Sequence, residues 1–161
     1  MFKASIFNIN IANTIRELKS VSFDHVFMNP PYFKQNSVKE SHILSSHQAK
    51  VESMPLSAWI SVAKNRCKPN GKITVIQRVE RLPDIIKCLD GYFGQVTVQP
   101  ISSFKDTSPK TVIVQATKTS GAAFKLLAPK IVHRRDGISG KVVYEDEFKK
   151  ILRYGHPLQL N

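Results

Sequence analysis

The chain predicts an α/β fold, and three stretches of sequence carry that prediction. His25 to Met28 is a short apolar run of the buried-strand kind that stops at Pro30 and Pro31. Leu56, Ile60, Ala63 and Cys67 recur at helical spacing, with Trp59 beside Ala63 on the same side. Gln95 to Gln99 and Thr111 to Lys118 alternate in polarity and are rich in Val, Ile and Thr, so they read as an antiparallel hairpin with a long connection, Pro100 to Lys110.

Taken in order, Ala4 to Ile11 alternates roughly and reads as a strand, and Asn13 to Ser20 as a helical turn or loop. Lys34 to Lys50 is polar, rich in Ser, His and Lys, and has no period, which predicts a loop. Pro55 sits at the first turn of the Leu56–Cys67 helix, and Pro69-Asn70-Gly71 predicts a stop and a turn. Lys72 to Gln77 is β-rich, and Leu82 to Leu89 is a second helix that tolerates Pro83 at its start. Gly91 to Gly94 reads as a loop, and Gly121 to Asp136 as mostly extended chain. Tyr144 to Tyr154 reads as a final helix whose first turn collects Glu145, Asp146 and Glu147, where the helix dipole favours acids. A parallel sheet needs helices on both faces, and only two good helices lie between strands. The chain is therefore expected to be part of a doubly wound sheet.

A length of 161 residues fits one domain, and an apolar content of 42% is globular. There is no internal repeat or low-complexity tract. No apolar run is long enough for a transmembrane helix, and the start of the chain does not read as a signal peptide, so no membrane partner is expected. Cys67 and Cys88 are widely spaced and fit the reduced thiols of a cytoplasmic protein. His42 and His47 lack the Cys or carboxylate companions of a metal site, so no metal is expected. The 24 Lys and Arg residues against 12 Asp and Glu give a net charge of +12, which favours a polyanionic partner such as RNA or DNA. Because these cations are spread along the chain, they fit a charged face on a folded domain.

The most specific chemistry lies in Asn29-Pro30-Pro31-Tyr32, which follows an apolar run and precedes Phe33. The Asn29 side-chain oxygen and a carbonyl of the Pro-Pro backbone can each accept one hydrogen of a planar amine. The prolines have no N–H to donate and hold φ near −65°, so the carbonyls stay in a fixed direction. Tyr32 supplies a face on which a base stacks, and Phe33 a wall. Together these residues describe a pocket for the NH2 group of a base. Asp24 is placed to hold the start of the adjoining strand.

Around that pocket, the blocks Phe23-Asp24-His25-Val26-Phe27-Met28-Asn29-Pro30-Pro31-Tyr32-Phe33, Pro55-Leu56-Ser57-Ala58-Trp59-Ile60, Lys68-Pro69-Asn70-Gly71-Lys72-Ile73-Thr74-Val75-Ile76, Arg81-Leu82-Pro83-Asp84-Ile85-Ile86 and Ser108-Pro109-Lys110-Thr111-Val112-Ile113-Val114 resemble the bacterial tRNA(Val) adenine-37 N6-methyltransferase family. The resemblance implies the S-adenosylmethionine-dependent class I methyltransferase fold, a Rossmann-like seven-stranded sheet with a terminal antiparallel hairpin. On it, His25 to Met28 is the fourth strand and Lys72 to Gln77 the fifth. It further implies methyl transfer to the N6 of an adenine in tRNA, with Asn29, Pro30, Pro31 and Tyr32 as the catalytic set and Phe33 on the substrate side. Arg78, Arg81, Arg134 and Arg135, with Lys105 and Lys110, are the phosphate-contact candidates.

The sequence departs from the family pattern in two respects. No Gly precedes Gly71, so the Gly-rich turn that lets backbone approach the methyl donor is missing, and Asn10 stands where the family carries an Asp near the cofactor adenine. The reading is therefore a single partial methyltransferase domain over residues 1–161, with its first strands absent and Asn10 as a weakened cofactor contact. Three alternatives stay open: a non-catalytic RNA-binding remnant, half of a split enzyme that pairs with a complementary N-terminal chain, and methylation of another amine in rRNA or protein. An uncovered sheet edge further predicts self-association unless a partner fills it.

Overall fold

The computed structural model describes residues 20–31 and 54–160. The Ala4–Ile11 strand, the Lys34–Lys50 loop, Asn10, Tyr32, Phe33, His42 and His47 lie outside the described residues. The described elements are β1 (Phe23–Met28), α1 (Leu56–Arg66), β2 (Cys67–Arg78), a short 3-10 turn (Val79–Arg81) and α2 (Leu82–Leu89). They continue with β3 (Phe93–Ser102), β4 (Thr111–Lys118), β5 (Lys125–Leu126), β6 (Lys130–Ile131), β7 (His133–Arg135), β8 (Val142–Tyr144) and α3 (Asp146–Tyr154).

The main sheet has the order β1-β2-β4-β3-β5, and β6 also pairs with β3. β1 and β2 run parallel. β4 inserts antiparallel between β2 and β3, so β3 points the same way as β1 and β2. The hairpin expected from Gln95–Gln99 and Thr111–Lys118 is thus the β3–β4 pair, and β7–β8 form a second, smaller antiparallel hairpin. Among the described residues the outer edge of β1 has no strand partner.

Period-2 patterning selects the face that the helices cover. Ile73 and Val75 of β2, Val112, Val114 and Ala116 of β4, and Val98 of β3 share one core with Met28 of β1. Leu56, Ile60 and Ala63 of α1 and Ile85 and Leu89 of α2 close over it. At roughly 1.5–3 kcal/mol per buried aliphatic side chain, this layer is the main stabilising contribution. Both cysteines are free, and burial pushes each thiol up from its ordinary range.

Several boundaries differ from the sequence expectation. Pro69-Asn70-Gly71 does not end an element. It forms an excursion inside β2, where Phe23 pairs with Cys67 but His25 already pairs with Lys72. Asn70 adopts φ 61°, so the turn signal is real but is spent on a bulge. β3 begins at Phe93, inside the expected Gly91–Gly94 loop, and runs past Pro100 to Ser102. The final helix begins at Asp146, because Tyr144 pairs with His133 in the β7–β8 hairpin. Its first turn holds Asp146 and Glu147, and Gly155 closes it in the left-handed conformation at φ 68°. No described helix is long and apolar enough to cross a membrane.

Candidate amine pocket at the carboxyl end of the sheet

β1 leads Asn29, Pro30 and Pro31 out at the carboxyl ends of the parallel strands, where ligands bind in open α/β sheets. Met28 and Pro30 are buried while Asn29 between them is exposed, as the alternation of a strand requires. The Asn29 carboxamide meets no hydrogen-bond partner among the described residues.

Gln77, on β2, fixes the turn. Its side chain is fully buried. Its Nε2 donates to the carbonyl oxygens of Pro30 and Pro31, each at 3.1 Å, and its Oε1 accepts from the Arg78 backbone N–H at 2.9 Å. One carboxamide thus satisfies its own hydrogen-bonding groups and holds two proline carbonyls from the same side. Each carbonyl keeps a second lone pair for another donor. Gln77 was missed among the functional candidates of the sequence, although it stands where the inward series Ile73, Val75 would place a third aliphatic.

Two further networks flank this arrangement. On the sheet face opposite the helices, Thr74 Oγ1 shares a 2.8 Å hydrogen bond with His25 Nε2 and accepts from Gln115 Nε2 at 3.2 Å. Phe27, on that same face, is 68% exposed, which is unusual for a strand aromatic in a sheet layer. At the far end of β1, Asp24 binds Lys68 Nζ through both carboxylate oxygens at 2.9 Å. That contact holds its carboxyl below the usual carboxylate range. Asp24 therefore staples the start of the strand and sits away from the turn.

The basic candidates divide. Arg78 lies beside the proline turn and bonds Glu80 at 3.2–3.3 Å, which holds the Glu80 carboxyl below its ordinary value. Arg81 is buried and pairs with Asp84 at 3.0 Å, so it is committed to the seam beneath α2. Lys105 and Lys110 are exposed in the β3–β4 connection. Arg134 and Arg135 are exposed on β7, with Arg134 Nε 3.7 Å from Glu145. The structure thus joins Asn29, Pro30, Pro31 and Arg78 at one place, and leaves Arg134 and Arg135 further along the sheet.

S-adenosylmethionine, the cofactor implied by the resemblance, finds no cradle among the described residues. Its methionine end requires close backbone approach, which glycine permits. The described glycines begin at Gly71, which lies within the amino-end excursion of β2. No group of His, Cys, Asp and Glu among the described residues could hold a metal.

No protein-family model matches the chain, and no curated protein matches it. Solved structures do. A predicted O-methyltransferase from Agrobacterium tumefaciens superposes with a TM-score of 0.64 at 21% identity, over 86% of this chain and 56% of that one. A chain of a type I restriction–modification system superposes with a TM-score of 0.53 at 17% identity, over 93% of this chain and 32% of its own. The chain therefore spans little more than half the length of the first of these proteins, and its sheet has a methyltransferase fold.

Proposed function

We propose that the chain carries the amine-holding side of an S-adenosylmethionine-dependent methyltransferase that modifies the N6 amino group of adenine in RNA, with tRNA as its partner. The observation that carries this reading is the exposed Asn29 carboxamide beside two proline carbonyls held in one direction by Gln77. An exocyclic amine donates two hydrogens in the plane of its base. Asn29 Oδ1 accepts one and a proline carbonyl the other, which orients the base and stabilises positive charge as it builds on nitrogen. No strong base is needed, because the nitrogen sheds its proton after the new bond has formed. Position and charge stabilisation account for the acceleration. The net charge of +12 and the methyltransferase fold support an RNA substrate and S-adenosylmethionine as donor.

A second reading shares the same chemistry. The donor is held by a segment other than the described residues, on the same or another chain, and the described residues supply the amine pocket and the RNA contacts.

The test is methyl transfer from labelled S-adenosylmethionine to unmodified tRNA, with the product nucleoside identified by mass spectrometry. The full chain is assayed alone and with extract of its own source. N6-methyladenosine is expected, with a loss of about 100-fold or more in Asn29→Ala and little change in tRNA affinity. Equal transfer by that variant, or methyl on a ring nitrogen or ribose, would overturn the pocket. Transfer only in the presence of extract selects the second reading, with the donor site on another chain.

A further inference from the structure

We infer that a cleft between the β7–β8 hairpin and α3 is a subsite for single-stranded RNA, one that stacks a base on Tyr144 and holds the flanking phosphates with Arg134, Lys149 and Arg153. The cleft encloses about 560 Å³. His133, Arg134, Tyr144, Lys149 and Arg153 line it. The inference rests on the proposal that the substrate is RNA, and extends it to a site that the methyl-transfer chemistry does not use.

Its floor is aromatic. The His133 and Tyr144 rings stack with centroids 4.9 Å apart at 30°, and Phe104 meets His133 at 5.7 Å. His133 and Tyr144 face each other because they are register partners across the hairpin. Tyr144 remains 40% exposed, so a base has an aromatic surface to lie on. The wall is cationic. Lys149 and Arg153 stand four residues apart on α3 and so share one helix face, while Arg134 comes from the opposing strand. Asp136 and Asp146 also line the cleft. Asp136 is engaged by Ser139 Oγ at 2.7 Å, and Asp146 lies in the first turn of α3, where the helix dipole suits an acid. Arg134 also meets Glu145 at 3.7 Å, while Lys149 and Arg153 are exposed on the helix side of the cleft.

Position makes this cleft part of the same binding surface as the amine pocket. β6 runs parallel to β3 and so to β1 and β2, and its carboxyl end continues into His133. The backbone N–H groups of Val132 and His133 bond Ser102 O and Ser103 O, both at 2.9 Å, which ties the hairpin to the end of β3. The cleft therefore opens at the same end of the sheet as Asn29. It lies four strands along, roughly 20 Å at about 4.8 Å per strand. That interval accommodates roughly six nucleotides at the ~3.4 Å rise of stacked nucleic acid. Arg78 and Lys110 lie at the strand ends between the two sites, on β2 and just before β4.

The probe is a fluorescein-labelled adenine-rich RNA of roughly 12 nucleotides, within the 4–16 typical of single-strand sites, titrated by anisotropy against the full chain at several salt concentrations. Tyr144→Ala is expected to weaken binding about tenfold, and Tyr144→Phe to restore it. Lys149→Gln with Arg153→Gln, on an exposed helix face, should reduce the salt slope by about 1.4, at 0.7 per phosphate contact. Unchanged affinity in Tyr144→Ala together with an unchanged slope in the double variant would overturn the inference. So would equally tight binding of the same RNA as a duplex, which offers no free base. The two proposals fail separately: the subsite is read from RNA affinity and salt slope in the Tyr144, Lys149 and Arg153 variants, and the amine pocket from the nucleoside that methyl transfer produces.

Discussion

The two ends of the sheet are built from opposite materials. At the amino end the chain uses glycine and charge to bring backbones together. A Cβ on Gly94 would lie 1.8 Å from Ser120 O, and one on Gly71 would lie 2.8 Å from Cys67 Sγ. Lys118 Nζ there donates to Lys64 O and Cys67 O, both at 2.7 Å, and so caps the last carbonyls of α1. At the carboxyl end the chain uses proline, with the Pro30 and Pro31 carbonyls aligned by Gln77. The difference is in what remains unspent. The amino end consumes its polar groups internally, as a stabilising joint does. The carboxyl end leaves an exposed carboxamide and second lone pairs on two carbonyls, as a binding site does.

Substitutions at each end should separate stability from function. Gly94→Ala is the most damaging, at about 3 kcal/mol in urea denaturation, because a backbone oxygen must move. RNA affinity of the fraction that folds should stay normal, and a loss of affinity there would break the contrast between the ends. Gln77→Leu should cost about 2 kcal/mol, because it strips the partner from two carbonyls while filling the space. Unlike Gly94→Ala, it should also lower methyl transfer at full tRNA occupancy, with Gln77→Glu failing to rescue for want of a donor. Lys118→Met should cost about 1.5 kcal/mol through its two charge-assisted bonds and leave transfer unchanged. Asn29→Ala should alter stability by less than about 0.5 kcal/mol, since its exposed side chain has no hydrogen-bond partner among the described residues.

The smallest effect concerns acid. Arg78 holds the Glu80 carboxyl below its ordinary value of 4.5. A carboxyl depressed by folding adds stability that is fully present above its unfolded pKa and is lost as pH falls through the folded one. Glu80→Gln should therefore flatten the acid limb of a stability–pH profile by no more than about 0.5 kcal/mol, because the pair is exposed. A larger change would mean that Arg78 is anchored for more than surface pairing.

Much of this architecture could be read from the chain because its signals are local. Helical spacing marked α1, alternation marked β4, and the proline pair marked the end of β1. What escaped depends on distant partners. Pro69-Asn70-Gly71 is a turn by composition, and only the pairing of Phe23 with Cys67 makes it a bulge within a longer strand. Tyr144 joins a strand because His133 lies opposite, and its acidic neighbours alone had placed it in the helix. Arg81 is a phosphate-contact candidate in the sequence, yet it is buried and pairs with Asp84 three residues on. For the site, Asn29, Pro30 and Pro31 were legible as a motif, while Tyr32, Phe33 and Asn10 lie outside the described residues. Gln77 left a trace in the pattern, a polar residue in an apolar alternation, whose meaning depends on a turn 46 residues away.

Because Pro30 and Pro31 have no amide proton, this part of the turn is silent in hydrogen exchange and in amide-detected NMR. The two side-chain protons of Gln77 take over as its spectroscopic reporters. Being buried and bonded to those carbonyls, they should exchange slowly and resonate apart from the solvent-exposed glutamine pairs. A base entering the pocket would then be seen through a residue that it never touches.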